Sequence, residues 1–364
     1  MATADRHNPI RERLLAKLRA GGDWRPGDKL PGGRELARVF QCSPVTMDGV
    51  LRGLAAQGFL RREARQGTFV APHEGWGKAE TGRASGRLAG ILATFPEEIL
   101  QAAEAELHRQ GCGALVRCTG ADLAAALKAV AELVARGVRG FIWSPLSTPD
   151  YAGDNDRLAA ALLGTGLPAV AVDRYPEGVE VNSVVSDNAS AAALLTRHLL
   201  GLGHRRIGLV RHLSGSTARD RQRGWESALA AAGVAPAPAL VLAVPHDLPG
   251  EELVRRVRQW LRDTHPTAVW SIAGLPLGAA VLAAAQAERL SIPQDLSFAT
   301  FDEVIAPFPV TRILQPLAET GRRAAALLRG EMEKPSGEIH RVILRCTLRE
   351  GASCRPLHPR NSTT

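Results

Sequence analysis

From Arg87 onward, short apolar runs alternate with stretches of helical period: LAGILA, a helix to about Gln110, ALVRCT, a helix to Arg136, GFIWSP, a helix around 155–164, and PAVAVD. An apolar run too short for a core helix and followed by an amphipathic segment reads as a strand buried on both faces. Repeated strand and helix pairs lead to a parallel sheet wound with helices on both sides. A second series begins with a helix over 188–202 and continues through RRIGLVR, a helix over 220–232, LVLAV, a helix over 250–263, AVWSIA, a helix over 276–289 and LSFATF. The fold class is therefore α/β. Two such halves in sequence predict a doubly wound, two-lobed clamp with a ligand cleft between the lobes.

The first seventy residues obey a different pattern. Pro9 suits a first helical turn, and Ile10, Leu14 and Leu18 recur at helical spacing until Gly21 and Gly22 stop the run. Leu36, Val39 and Phe40 place an apolar stripe on a short second helix. Ser43 is set to cap a third helix that starts at Pro44 and buries Met47, Val50, Leu51 and Leu54. The period then becomes extended through Phe59-Leu60-Arg61-Arg62, turns at Arg65-Gln66-Gly67, and returns through Thr68-Phe69-Val70. A helix-turn-helix followed by a basic-tipped hairpin is a winged helix, assigned to 1–73. Residues 74–86 lack periodicity and are rich in glycine and polar residues, as in a linker, and 357–364 form a tail.

Charge follows the same division. Residues 1–73 hold 13 Lys+Arg against 7 Asp+Glu, so they carry most of the chain's net charge of +8. A basic module in an otherwise balanced chain favours a polyanionic partner. No run approaches the roughly 18 apolar residues that a membrane span needs, and the opening MATADRHNPIRER is too polar for a signal peptide, so a cytoplasmic location and no membrane partner are expected. The five cysteines (Cys42, Cys112, Cys118, Cys346, Cys354) form no CxxC pair, which predicts reduced structural thiols and no metal site.

Residues 26–70, with PGDKLP, RELA, SPVT and QGTFV in order, resemble the GntR-type winged helix over nearly its whole length. The resemblance implies that Arg34 contacts phosphate or a base edge and that Ser43, Pro44, Val45 and Thr46 face the major groove. It further implies that Gln66, Gly67 and Thr68 form a wing tip entering the minor groove, with Arg62 and Arg65 supplying charge for counterion release. Pro44 and Asp48 stand where many relatives carry arginine. An aspartate accepts from cytosine but repels phosphate, which shifts specificity toward the wing and Arg34.

The blocks VDR, SVVSDN, HLLGLGHRRIGLV, TARDRQRGW and IPQDLSFATFDE, in this order, resemble the LacI-type effector domain. That resemblance implies a periplasmic-binding-protein fold of two lobes over 87–356 with hinges near 185–188 and 312–316, closure on a small effector, and a homodimer that sets two heads on a palindromic duplex operator. Its implied sign of control is repression. A GntR-type head on a LacI-type sensor resembles the arabinose repressors, although arabinose itself is not carried over. Asp173, Arg221 and Asp302 match ligand contacts, with Arg219 in support. Ile272 and Ala273 replace a usual Asn-Asp pair and the loop ATFPEEIL is short, so the effector is a carbohydrate or another small metabolite, with Phe95 or Trp143 as candidate stacking partners.

Other function classes find little support. A pyridoxal-phosphate enzyme fused to such a head needs a Schiff-base lysine, and beyond the linker only Lys128 and Lys334 remain, in helical polar settings. GxSxG, GxxxxGK[ST] and HExxH are absent, so neither catalysis nor a cofactor is expected. His198 and His204 flank a helix end and read as caps or surface residues. A head used only for protein docking is the remaining alternative, and the local basic charge argues against it.

Overall fold

The computed structural model describes residues 8–20, 24–56, 59–63, 67–72 and 87–357, in two units, Met1–Gly86 and Arg87–Thr364. The linker 74–86, Arg65, Gln66 and most of the tail lie outside the described residues.

The first unit contains α1 (Asn8–Ala20), α2 (Gly33–Val39), α3 (Pro44–Ala56) and a hairpin of β1 (Leu60–Glu63) and β2 (Gly67–Val70). Leu14, Leu18, Leu36, Phe40, Met47 and Leu54 meet in one buried cluster. Val39, expected on this stripe, is instead 57% exposed. The inward arc runs from Leu36 through Phe40 to the buried Ala37, and at 3.6 residues per turn Val39 falls about 60° beyond the Leu36 edge, on the outer side. The segment before α2, which reads as loop in the sequence, joins the hairpin: Leu30 N donates to Thr68 O at 2.8 Å, Val70 N to Asp28 O at 2.8 Å, and Lys29 bridges Phe69.

The second unit opens with β3 (Leu88–Leu92), α4 (Glu97–Arg109), β4 (Gly113–Arg117), α5 (Leu123–Ala135), β5 (Val138–Trp143), α6 (Tyr151–Gly164), β6 (Ala169–Val172) and β7 (Asn182–Ser186). It continues with α7 (Asn188–Gly201), β8 (Ile207–His212), α8 (Ser216–Ala231), β9 (Val241–Val244), α9 (Gly250–Thr264), β10 (Ala268–Ser271), α10 (Ala279–Ala287), β11 (Ser297–Phe301) and β12 (Thr311–Leu314). The chain ends with α11 (Leu317–Glu333), β13 (Arg341–Leu344) and β14 (Thr347–Arg349).

Two six-stranded sheets result, ordered β4-β3-β5-β6-β7-β13 in lobe one and β9-β8-β10-β11-β12-β14 in lobe two. All neighbours run parallel except β12 and β14. This is the α/β two-lobed architecture the alternating pattern predicts. α6 starts earlier than the expected 155, because Asp150 caps it by accepting from Gly153 N at 3.1 Å.

The chain passes between lobes at Asp187, again between β12 and α11, and a third time between β13 and β14. The third passage has no counterpart in the sequence reading. Glycine lets helices approach closely inside each lobe. A Cβ on Gly224 of α8 would lie 2.1 Å from Ala189 O of α7, and one on Gly321 of α11 would lie 2.3 Å from Ile99 O of α4.

Candidate functional site

In the head, Ser43 caps α3: its Oγ accepts from Thr46 N at 3.0 Å and lies 2.8 Å from the Thr46 hydroxyl. Pro44 then opens the helix without forfeiting a hydrogen bond. Ser43 and Pro44 are exposed and Thr46 is half-buried, so the N-terminus of α3 faces outward. Val45 sits in α3, but its side chain is outside the described residues, as are Arg65 and Gln66. Arg34, the second residue of α2, is exposed.

At the wing, Gly67 adopts φ +122, and a Cβ there would come within 2.8 Å of Lys29 Cε, so Lys29 lies against the base of the wing. Thr68 pairs with Arg62 across the hairpin. Arg61 pairs with Glu63 at 3.1 Å and lies over the Phe69 ring. Asp48, read from the sequence as a base-edge acceptor, is engaged by Arg62, with Nη2 3.0 Å from Oδ1.

In the second unit, Asp173 follows β6 of lobe one and Asp302 follows β11 of lobe two. Both hold left-handed backbone, φ 68 and φ 62. Each backbone N–H still reaches a neighbouring strand, Asp173 N to Val184 O at 3.3 Å and Asp302 N to Ile313 O at 3.0 Å. Two non-glycine residues in this strained region, at corresponding strand ends, mark positions where the tertiary structure overrides local preference.

Asp173 accepts from Arg174 Nε at 3.0 Å and Nη2 at 2.9 Å, and Arg174 also donates to Ser147 Oγ. Asp302 accepts from Gln315 Nε2 at 2.8 and 2.9 Å. Burial pushes the Asp302 carboxyl up, against the field of Arg221 and the Gln315 bonds.

Arg221 lies between these groups and is buried. Its Nε donates to Asn188 Oδ1 at 2.7 Å, Nη1 donates to Ile272 O, and the guanidinium lies 3.8 Å from the Phe301 ring centroid. Burial pulls its pKa down, and Asp302 and Asp173 oppose this. Ile272, which replaces a polar residue of the resemblance, thus contributes its carbonyl.

Arg219 does not join this cluster. Its partners are Glu177 at 3.1 Å and the Tyr175 hydroxyl at 3.1 Å, and it is 40% exposed. Phe95 is half-buried against the apolar core of lobe one, and Trp143 is wholly buried, which leaves that ring no open face for stacking.

Tyr175 was not singled out in the sequence, yet it joins the lobes. Its hydroxyl donates to Asp220 Oδ2 at 2.7 Å, and its backbone N–H donates to Ser216 Oγ at 3.1 Å, both partners on α8. The Tyr151 hydroxyl donates to Tyr175 O at 2.8 Å and lies 3.3 Å from the same Ser216 Oγ. Beside this contact a cavity of about 560 Å³ takes its walls from both lobes, including Tyr151 and Glu177 on one side and Arg211, Arg219 and Arg223 on the other.

At the ends of β8 and β9, His212 and His246 stack with centroids 4.0 Å apart. Burial, His246 and Arg174 lower His212 to about 3. His204 proves to be buried, correcting its reading as a cap or surface residue: Nδ1 meets Thr267 Oγ1 and Nε2 meets Ser297 Oγ, each at 3.0 Å, so it ties α7 to β11.

Among the described residues all five cysteines are free, no group of His, Cys, Asp and Glu is arranged to hold a metal, and no helix is long and apolar enough to cross a membrane.

Comparison with known proteins agrees with this architecture. The chain is 26% identical over 347 residues to the arabinose metabolism transcriptional repressor of Geobacillus stearothermophilus, covering 92% of this chain and 93% of that one. It is 25% identical over 336 residues to the ribose operon repressor of Haemophilus influenzae, covering 87% and 97%. Among solved structures, a complex of the transcriptional regulator CelR with cellobiose superposes with a TM-score of 0.65 at 24% identity, over 87% of this chain and 94% of that chain. A LacI family regulator from Enterococcus faecium with bound ribose gives 0.62 at 24% identity, over 75% and 100%. Residues 7–70 match the model of the bacterial regulatory proteins of the gntR family and residues 196–354 match the model of the periplasmic binding protein-like domain, so the chain resembles the first family at its head and the second over much of its α/β unit.

Proposed function

We propose that this chain is a sequence-specific transcription regulator, a repressor in sign, whose grip on duplex DNA is set by a small polyhydroxy metabolite held between the two lobes. The observation that carries the reading is one chain holding both a gntR-family head, with an outward, Ser43-capped recognition helix, and a two-lobed sensor. Residues 7–70 match a family of bacterial regulatory proteins, and the curated relatives are named as repressors.

Arg34, Ser43, Pro44, Thr46, Gly67 and Thr68 are the proposed DNA contacts among the described residues, and the sequence resemblance adds Val45, Arg65 and Gln66. Helix N-terminal N–H groups and arginines position the phosphate backbone, while side chains at the start of α3 meet base edges. In the sensor, Asp173, Arg221 and Asp302 lie near the strand ends, where an effector's hydroxyl groups would replace bonds they now make to Arg174, Asn188 and Gln315. The relatives named for ribose and arabinose metabolism support a sugar or a sugar-like acid or polyol.

Two subunits would bring two heads to a palindrome. Leu275 at 61% and Ile305 at 87% exposure are large apolar side chains that such a pairing would cover. Effector binding favours one degree of lobe closure over another, and the heads respond through the dimer.

The test is selection of bound duplexes from a random pool at two salt concentrations, followed by release of the selected duplex with candidate sugars. An enriched palindrome released by a sugar supports the reading. Weak binding without sequence preference that vanishes as salt rises refutes it.

A further inference from the structure

We infer that Asp48 is a positioning residue that holds Arg62 away from the phosphate backbone, so that the head gives up sequence-independent affinity in favour of discrimination. The inference rests on the DNA-binding reading above. Asp48 is the fifth residue of α3 and Arg62 the third of β1, so their 3.0 Å contact links the recognition helix to the wing strand.

The contact is not needed for folding. The side chains are 43% and 45% exposed, and ion pairs in that setting contribute little to stability. Phe59 and Leu60 already anchor the strand in the apolar core. What the pair does change is the field of the DNA-facing surface. A carboxylate beside the guanidinium cancels one cation and repels an approaching phosphate, and it orients Arg62 along the protein.

An aspartate reading cytosine would have to leave this partner, and an arginine on phosphate would have to leave the same one. Both groups are therefore withdrawn from direct readout while the pair persists. Contacts from the helix N-terminus and the wing tip then decide which duplex fits.

Binding of the full-length chain is measured against its selected duplex and a scrambled duplex of equal length, over a salt series, for the wild type, Asp48→Asn, Arg62→Gln and the double variant. Thermal melting of each checks folding. Asp48→Asn frees Arg62, and the salt slope on the scrambled duplex steepens by about 0.9 per head. The affinity ratio between 50 and 200 mM salt then grows by roughly threefold per head, and preference for the selected duplex falls.

Arg62→Gln alone leaves the slope near wild type, and the double variant returns to it. Either of two results overturns the inference: Asp48→Asn losing preference at one base pair with an unchanged slope, which makes Asp48 a base reader, or Arg62→Gln flattening the slope on its own, which puts Arg62 on phosphate. A wild-type chain without sequence preference overturns the regulator reading itself and this inference with it.

Discussion

Removing one hydroxyl, by Tyr175→Phe, tests whether the lobes are held closed by the contact that spans them. Tyr175 belongs to lobe one and its hydroxyl has two partners on α8 of lobe two, Asp220 Oδ2 at 2.7 Å and Arg219 Nη2 at 3.1 Å. Both bonds involve a charged group, a class that contributes about 1.5–3 kcal/mol each when well buried. The site is only half-buried and Asp220 retains Arg219 and Arg223 at 3.8 Å, so water and these neighbours recover part of the loss. A net of about 1–2 kcal/mol remains, which shifts the closed-to-open ratio by roughly 5- to 30-fold.

The Tyr175 amide reports this directly, because its described partner is Ser216 Oγ across the lobe boundary. Hydrogen exchange at that amide should accelerate by the same factor. The Ser183 amide, bonded to His340 O within lobe one, should be unaffected. Unchanged protection at Tyr175, with the variant folded, would show that the hydroxyl contacts do not govern closure.

Gly224→Ala should destabilise the sensor by about 1–3 kcal/mol in urea unfolding, since the new methyl meets the Ala189 carbonyl and backbone cannot rotate away. His212, held near 3 by burial, His246 and Arg174, must be neutral in the fold. Its contribution is complete above the unfolded value of about 6.5 and is lost as pH falls from there toward 3, at about 1.4 kcal/mol per pH unit. His246 and His204 are lowered as well and act with the same sign, so urea midpoints should drop between about pH 7 and pH 5.5, and His212→Gln should flatten the slope by one proton. Arg221→Ala should cost about 3 kcal/mol of stability, because Asn188 Oδ1 and Ile272 O lose their donor inside the protein. Asp302→Asn keeps the shape and is the cleaner variant for a blunted effector response, read as operator release. Gly67→Ala should weaken operator binding at least tenfold in a filter assay with the chain still folded, since φ +122 and Lys29 both oppose a side chain.

Local order is written in the chain itself. Apolar runs followed by helical periods specify the alternating elements of the sensor, because burial on two faces and burial on one stripe demand different spacings. Ser43 before Pro44, and glycine at the wing, follow from the needs of one helix end and one turn. The strands β7, β12, β13 and β14 carry weaker signals. Asn182–Ser186 and Thr311–Leu314 interleave polar residues that become buried only because neighbouring strands and helices cover them. Val39 shows the same limit in reverse, since which arc of a two-turn helix faces inward depends on what packs there.

The candidate sites divide along this line. Strand-end positions such as Asp173 and Asp302 are marked in the sequence by the resemblance to LacI-type domains, but their left-handed backbone and their bonds to Arg174 and Gln315 are not. Arg219 and Arg221 are two residues apart on one helix, yet roughly 200° of rotation separates their faces, so one enters the buried cluster and the other meets Tyr175 at the rim. Asp48 and Arg62, Tyr175 and Asp220, and His204 and Ser297 lie far apart in sequence, and no local period couples them. Sequence alone determined the alternating elements other than β7, β12, β13 and β14, because those follow from short-range spacing. Tertiary structure decided which charges neutralise each other and how the lobes meet, because those depend on packing between distant segments.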